Sequence, residues 1–159
     1  MTEKFKPSLA SVRCIRSLSR QDLAAVIELE LQSYSHPWTK GIFLDCFRPD
    51  YRLWALDQGG ELIGYAVVAY LFDEAHLLNL CVGPQYRRSG AGVLLLRHLI
   101  TVATHESMHR VILEVRQSNR SAIELYIREG FEQIGERPGY YPAAIGRENA
   151  SVLSLTLDG

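Results

Sequence analysis

The sequence predicts one mixed α/β domain, a sheet with helices on its faces. Three observations predict it. The chain has 159 residues, 47% hydrophobic and 22% charged, a globular balance in a chain long enough to bury a sizeable core. Runs that alternate every second residue are interleaved with runs of helical period, in the order βααβββαβαββ. The run EAHLLNLCV, residues 74–82, is so densely apolar that it reads as a central strand buried on both faces.

Taken in order, residues 1–10 carry Lys4 and Lys6 but no apolar stretch of signal-peptide length, so they are expected to be a flexible tail on a single domain spanning 1–159. VRCIRSL alternates as a strand does. Ser19 is placed to cap a helix in which Leu23, Val26, Ile27, Glu30 and Leu31 recur at helical spacing. Pro37 in SHPW changes the chain's direction, and Thr39 is placed to cap a second, short helix reaching about Phe47. Two β-rich runs joined by DQGGE then form a hairpin, and the 74–82 strand follows. A helix beginning near Gly90, the strand HRVILEVR, and the helix in SNRSAIELYIREGF, stopped by Gly130, continue the pattern. FEQIGERPGYYP, a loop, and the alternating ASVLSLTL complete it.

Composition removes several functions. Seventeen basic against eighteen acidic side chains leave a net charge of −1, with no electrostatic reason to expect nucleic acid as the main ligand, and no membrane span is read. Cys14, Cys46 and Cys81 are odd in number and form no C-x-x-C pair, so neither a disulfide framework nor a zinc site is expected, and a cytoplasmic location is. The five histidines show no H-E-x-x-H spacing, so no metal is expected.

The stretch YRRSGAGVLLLRHLI, residues 86–100, places Arg87, Arg88, Ser89, Gly90, Ala91, Gly92 and Val93 between a strand and a helix. The first amides of a helix have no acceptor within it, the helix dipole favours an anion there, and glycines let backbone approach closely. With two arginines beside them, these features describe a diphosphate cradle; a glycine-capped turn with solvated arginines is the plainer alternative. A P-loop would need Gly-Lys-Ser/Thr, whereas Gly92 runs into Val93 and Leu94, and the Rossmann fingerprint would need a third glycine where Leu95 stands.

Residues 87–92 resemble the Arg/Gln-x-x-Gly-x-Gly/Ala pyrophosphate loop of the Gcn5-related N-acetyltransferase (GNAT) superfamily. DEAHLLNLCVGPQYRRSGAG, LEVRQSNRSAIELYIREGF and GYYP with GREN are similar, in order, to blocks of its bacterial ribosomal-protein-alanine N-acetyltransferase subfamily, from about Ser35 to Leu157. Gly83, where an acidic residue is common, and RPG before the paired tyrosines depart from that pattern. The resemblance implies a mostly antiparallel sheet of about seven strands, splayed as a V between the fourth and fifth and flanked by about four helices. It implies acetyl-CoA as cosubstrate and, as partner, the N-terminal alanine of a small-subunit ribosomal protein, met by a monomer or weak homodimer. Acceptance of lysine or small-molecule amines, or coenzyme binding without turnover, are the alternatives.

Attack of an amine on a thioester needs a base, a donor to the acyl oxygen and a proton for the leaving sulfur. Glu114 lies in the apolar VILEVR strand on a face shared with Ile112 and Arg116, where a water-facing glutamate is the plain reading; the resemblance matches it to the catalytic base. An α-amine, with a pKa of about 7.7–8.0 against about 10.4 for lysine, needs only mild help. Tyr126 shares a helix face with Ala122; packing on the sheet explains it, and the resemblance matches it to the general acid. Asn119 is placed to cap that helix and by resemblance contacts the coenzyme. Backbone of Leu80, Cys81 and Val82, on the splayed strand, is implied to bind the pantetheine arm as an added strand would. The Cys81 thiol reads as inert core, with an acyl-cysteine route as its rival. Trp38, Tyr140 and Tyr141 are candidate walls of an acceptor groove, and Asp73 and Glu74 candidate contacts for a basic peptide.

Overall fold

The computed structural model describes residues 12–158, and the tail expected at 1–10 lies outside them. Along the described residues run β1 (Arg13–Ser17), α1 (Leu23–Ser33), α2 (Lys40–Asp45), β2 (Tyr51–Gln58), β3 (Glu61–Leu71), β4 (Glu74–Val82), α3 (Ala91–His105), β5 (Arg110–Arg116), α4 (Arg120–Arg128), β6 (Glu132–Pro142) and β7 (Arg147–Thr156). The seven strands form one sheet in the order β1-β2-β3-β4-β5-β7-β6. Only β4 and β5 are parallel, as the crossover through α3 between them requires; every other pair is antiparallel.

Local chemistry sets the element ends. Thr39 Oγ1 accepts the Ile42 amide at 3.3 Å and Asn119 Oδ1 the Ala122 amide at 3.3 Å, so both expected caps form. Gly59 and Gly60, at φ 59° and 82°, make the left-handed two-residue turn between β2 and β3. At Ser19 the structure differs from expectation. A 3-10 turn at Arg20–Asp22 intervenes before α1, with the Ser19 amide donating to Asp22 Oδ2 at 2.7 Å. The buried stripe of α1 is Leu23, Val26 and Glu30, while Leu31 is exposed, because the sheet offers Glu30 hydrogen-bond donors.

One face of the sheet is covered by α3 and α4, where Leu95, Leu96 and Leu99 meet Leu56, Ile63, Val111, Leu113 and Leu153; the other is covered by α1 and α2, where Val26 and Phe43 meet Tyr65 and Val67. A β-bulge at Leu78 changes which residues of β4 face which layer. Val68 pairs with Leu77 but Val67 with Asn79, so Ala75 and Leu77 join the α3 side, Cys81 the α1 side, and Leu80 and Val82 the α3 side again. Burial of β4 on both faces is therefore incomplete: Leu78 is 44% exposed, because the strand has an open flank.

That flank is the V. Residues 74–77 pair with 110–113, and there the β4–β5 ladder stops. Glu114, Val115 and Arg116 stay with Val152, Ser151 and Ala150 of β7, while Asn79, Leu80, Cys81 and Val82 stay with β3. Gly64 permits the close approach on the β3 side, since a Cβ there would lie 2.9 Å from the Cys81 carbonyl oxygen. In β6, residues 138–140 bulge opposite Asn149, which is how Pro138, with no N–H to donate, is accommodated within a paired strand.

Candidate active site

The splay opens onto two adjoining cavities. The larger, about 990 Å³, runs from the free edge of β4 to the start of α3 and is lined by Leu80, Cys81, Val82, Arg87, Arg88, Gly90, Ala91, Gly92, Val93, Asn119 and Tyr126. Gly90 is left-handed at φ 83°, and the first helical bond, Leu94 amide to Gly90 carbonyl at 3.0 Å, leaves the amides of Ala91, Gly92 and Val93 without helical acceptors. Among the described residues neither Arg87 nor Arg88 is paired with a carboxylate. Free amides, unneutralised guanidinium groups and an open strand edge fit a phosphorylated, amide-bearing ligand. Ser89 stands outside this lining. Its carbonyl and hydroxyl accept from Arg13 at 2.9 and 2.8 Å, and its hydroxyl donates to the Tyr86 carbonyl, so it fastens the turn to β1.

The smaller cavity, about 330 Å³, lies on the other side of the V and is lined by Glu30, Tyr34, Trp38, Leu78, Asn79, Glu114, Tyr126 and Tyr141 among others. β5 presents Glu114 with Arg116 on the open side while Val111, Leu113 and Val115 are buried, the alternation expected from sequence. Glu114 Oε1 accepts from Arg137 Nη1 at 2.6 Å, and its carbonyl from the Tyr141 hydroxyl at 3.0 Å. Arg116 bonds Glu148 at 3.1 Å and lies 4.5 Å over the Tyr141 ring. Tyr126 lines both cavities from α4 and packs edge-on against Phe131 at 5.5 Å; burial pushes its phenol pKa up, so it holds its proton.

Trp38, on Phe43 at 5.3 Å, and Tyr141 line the smaller cavity. Tyr140 does not; it stands against Tyr141 at 4.8 Å with the Arg137 guanidinium 4.6 Å over its ring. Asp73 and Glu74 are not brought to either cavity. They sit at the sealed end of β4, where the Asp73 main-chain carbonyl accepts the His109 amide at 2.6 Å and Glu74 is ion-paired with Arg110, away from the cavities where a basic peptide was expected to meet them. The Cys81 side chain packs in the α1-side core, 2% exposed, and burial raises its thiol pKa, which disfavours the nucleophilic thiolate.

Sequence reading missed several residues of the smaller cavity. Glu30 accepts from the Trp38 amide at 3.3 Å, from Asn79 Nδ2 at 3.2 and 3.1 Å, and from the Tyr65 hydroxyl. Tyr34 donates to the Leu80 carbonyl at 2.7 Å, and Arg137 grips Glu114. For Glu30 a signal existed: an acidic residue in the buried stripe set by Leu23 and Val26.

A strand edge freed by a bulge, a left-handed glycine turn feeding a helix N-terminus, and a sheet split at its one parallel pair thus meet at one end of the molecule. The sequence model of the acetyltransferase (GNAT) family matches residues 21–131, and the chain belongs to that family; it is an acetyl-CoA-dependent N-acetyltransferase. Among its relatives, the [ribosomal protein bS18]-alanine N-acetyltransferase of Escherichia coli (strain K12) is 36% identical over 143 residues, covering 90% of this chain and 97% of the relative. The crystal structure of the ribosomal-protein-S18-alanine N-acetyltransferase from Escherichia coli superposes with a TM-score of 0.89 at 35% identity, over 93% of this chain and 96% of that one. Arabidopsis thaliana NAA60 in complex with acetyl-CoA shares the fold, with a TM-score of 0.84 at 19% identity over 93% of this chain and all of that one. Among the described residues no helix is long and apolar enough to cross a membrane.

Proposed function

We propose that this chain, as a single cytoplasmic domain, transfers the acetyl group of acetyl-CoA to the α-amine of an N-terminal alanine on a small-subunit ribosomal protein. The observation that carries the reading is the shared wall of the two cavities. Tyr126 and Asn119 line both, Glu114 lines the smaller, and the free edge of β4 runs between them. The alanine N-acetyltransferase activity of the Escherichia coli relative towards ribosomal protein bS18 supports the acceptor.

Arg87, Arg88 and the amides of Ala91, Gly92 and Val93 hold the diphosphate; Ser89, fastened by Arg13, keeps that turn in place. Backbone groups of Leu80, Cys81 and Val82 pair with the pantetheine amides, and Asn119 adds a polar contact. When bound, the coenzyme supplies an activated thioester. Glu114, oriented by Arg137, takes the proton of the attacking amine, a backbone N–H after the bulge faces the acyl oxygen, and Tyr126 donates to the leaving sulfur. Direct attack is supported by the burial of the Cys81 thiol in the α1-side core. Trp38 and Tyr141 wall the acceptor, with Tyr140 bracing Tyr141 from outside.

The test is incubation with acetyl-CoA and peptides bearing alanine, serine, glycine or blocked N-termini, together with lysine and polyamine amines, read by mass. Acetylation of the alanyl peptide ahead of the others is expected. Equal labelling of lysine or free amines would overturn the N-terminal reading.

A further inference from the structure

Two carboxylates line the acceptor cavity, Glu30 and Glu114, and they differ in what neutralises them. Glu114 has a guanidinium, Arg137 Nη1 at 2.6 Å. Arg116, on the same wall, is matched by Glu148 at 3.1 Å. Glu30 has no cation among the described residues. It is 2% exposed, and the groups bonded to it, the Trp38 amide, the Asn79 side-chain amide and the Tyr65 hydroxyl, are all neutral. Both of its oxygens are engaged by these groups.

A buried charge without a partner is costly, and none of the three groups bonded to Glu30 brings a compensating charge. The incoming α-amine, by contrast, arrives from water largely as an ammonium, since its pKa is about 7.7–8.0. We propose that Glu30 is a specificity-determining residue: its uncompensated negative charge selects an ammonium-bearing N-terminus and draws it into the cavity, where Glu114 takes its proton. This rests on the N-terminal acetyltransferase reading above. The same carboxylate, through Asn79, steadies the residue that follows the bulged Leu78, so acceptor selection and the shape of the open edge are set by one side chain.

Calorimetry tests it with the protein saturated by coenzyme A, which lacks the acetyl group and permits no turnover. The probes are an alanyl peptide and its propionyl counterpart, in which hydrogen replaces the ammonium. Wild type is expected to bind the alanyl peptide about tenfold more tightly, the scale of one charge–charge interaction in a partly screened site. Glu30→Gln is expected to bind both alike, with coenzyme A affinity unchanged. The double variant Glu114→Gln/Arg137→Gln removes a neutral pair and is expected to keep the preference. A wild type without preference, a folded Glu30→Gln that retains it, or a double variant that loses it overturns the inference; if Glu30→Gln does not fold, wild type and the double variant decide. A wild type that acetylates the alanyl peptide yet binds both probes equally sinks this proposal alone, whereas absence of alanyl acetylation sinks the function beneath it.

Discussion

At one end of the β4–β5 pair the two strands are in register, residues 74–77 with 110–113, and Glu74 is ion-paired with Arg110 across the join. At the other end the same strands part, β4 staying with β3 and β5 with β7. The alternation of β5 is unchanged from end to end, Val111, Leu113 and Val115 all being buried. What differs is one extra residue in β4. The bulge at Leu78 turns the strand's faces over where the edge becomes free, so the sealed end offers stability and, on the proposed function, the open end offers binding and chemistry.

Substitutions at the two ends should therefore separate activity from stability. The largest effect belongs to the open end: Glu114→Gln is expected to lower kcat by roughly 10² to 10⁴ while leaving acetyl-CoA affinity nearly unchanged. Retained turnover at neutral pH would remove Glu114 as base. Tyr126→Phe should slow kcat by about 10 to 10², with Cys81→Ala nearly normal; the reverse ranking, or an acetyl group trapped on Cys81, would favour the covalent route. At the sealed end, Val111→Ala should cost about 2 kcal/mol in denaturant unfolding with kcat preserved. Arg87→Ala should weaken acetyl-CoA binding by about tenfold, with kcat recovered at saturation, as loss of one charge-assisted contact does.

The smallest effect returns to the sealed end. Arg110 holds the Glu74 carboxyl below its ordinary range, so this pair contributes stability above the unfolded carboxylate value of about 4.3 and loses it as pH falls through the lowered folded value. Glu74→Gln should cost under about 1 kcal/mol at pH 7, and the difference from wild type should close in acid; a gap that widens on acidification would contradict the assignment.

Features set by near neighbours in the chain are legible in the sequence, and those set across the sheet are not. Element order, the Gly59–Gly60 turn, the caps at Thr39 and Asn119 and the left-handed Gly130 that stops α4 are local and legible, because each depends on residues within a few positions. Within 74–82 the run LLNLCV is apolar at nearly every position, so no alternation marks where its faces turn over, and the bulge was invisible. Glu30 was read as one more position of a helix stripe, since its donors, Tyr65 and Asn79, come from strands far along the chain. Asp73 and Glu74 open β4 as two acidic residues, and the sequence does not show that this end of the strand is the one paired with β5. The roles of Glu114 and Tyr126 came from family resemblance, not from spacing.

Among the described residues, four residue pairs and the bond from the His109 amide to the Asp73 carbonyl form the backbone seam between β4 and β5. A guest that pairs with the free flank of β4 while touching Asn119 and Tyr126 of α4 supplies the missing rungs and rivets the two sides of that seam together. At a hundredfold excess over its Kd such a rivet adds about 2.7 kcal/mol to the folded state. On the proposed binding mode, each release of product loosens the sheet as well as emptying it.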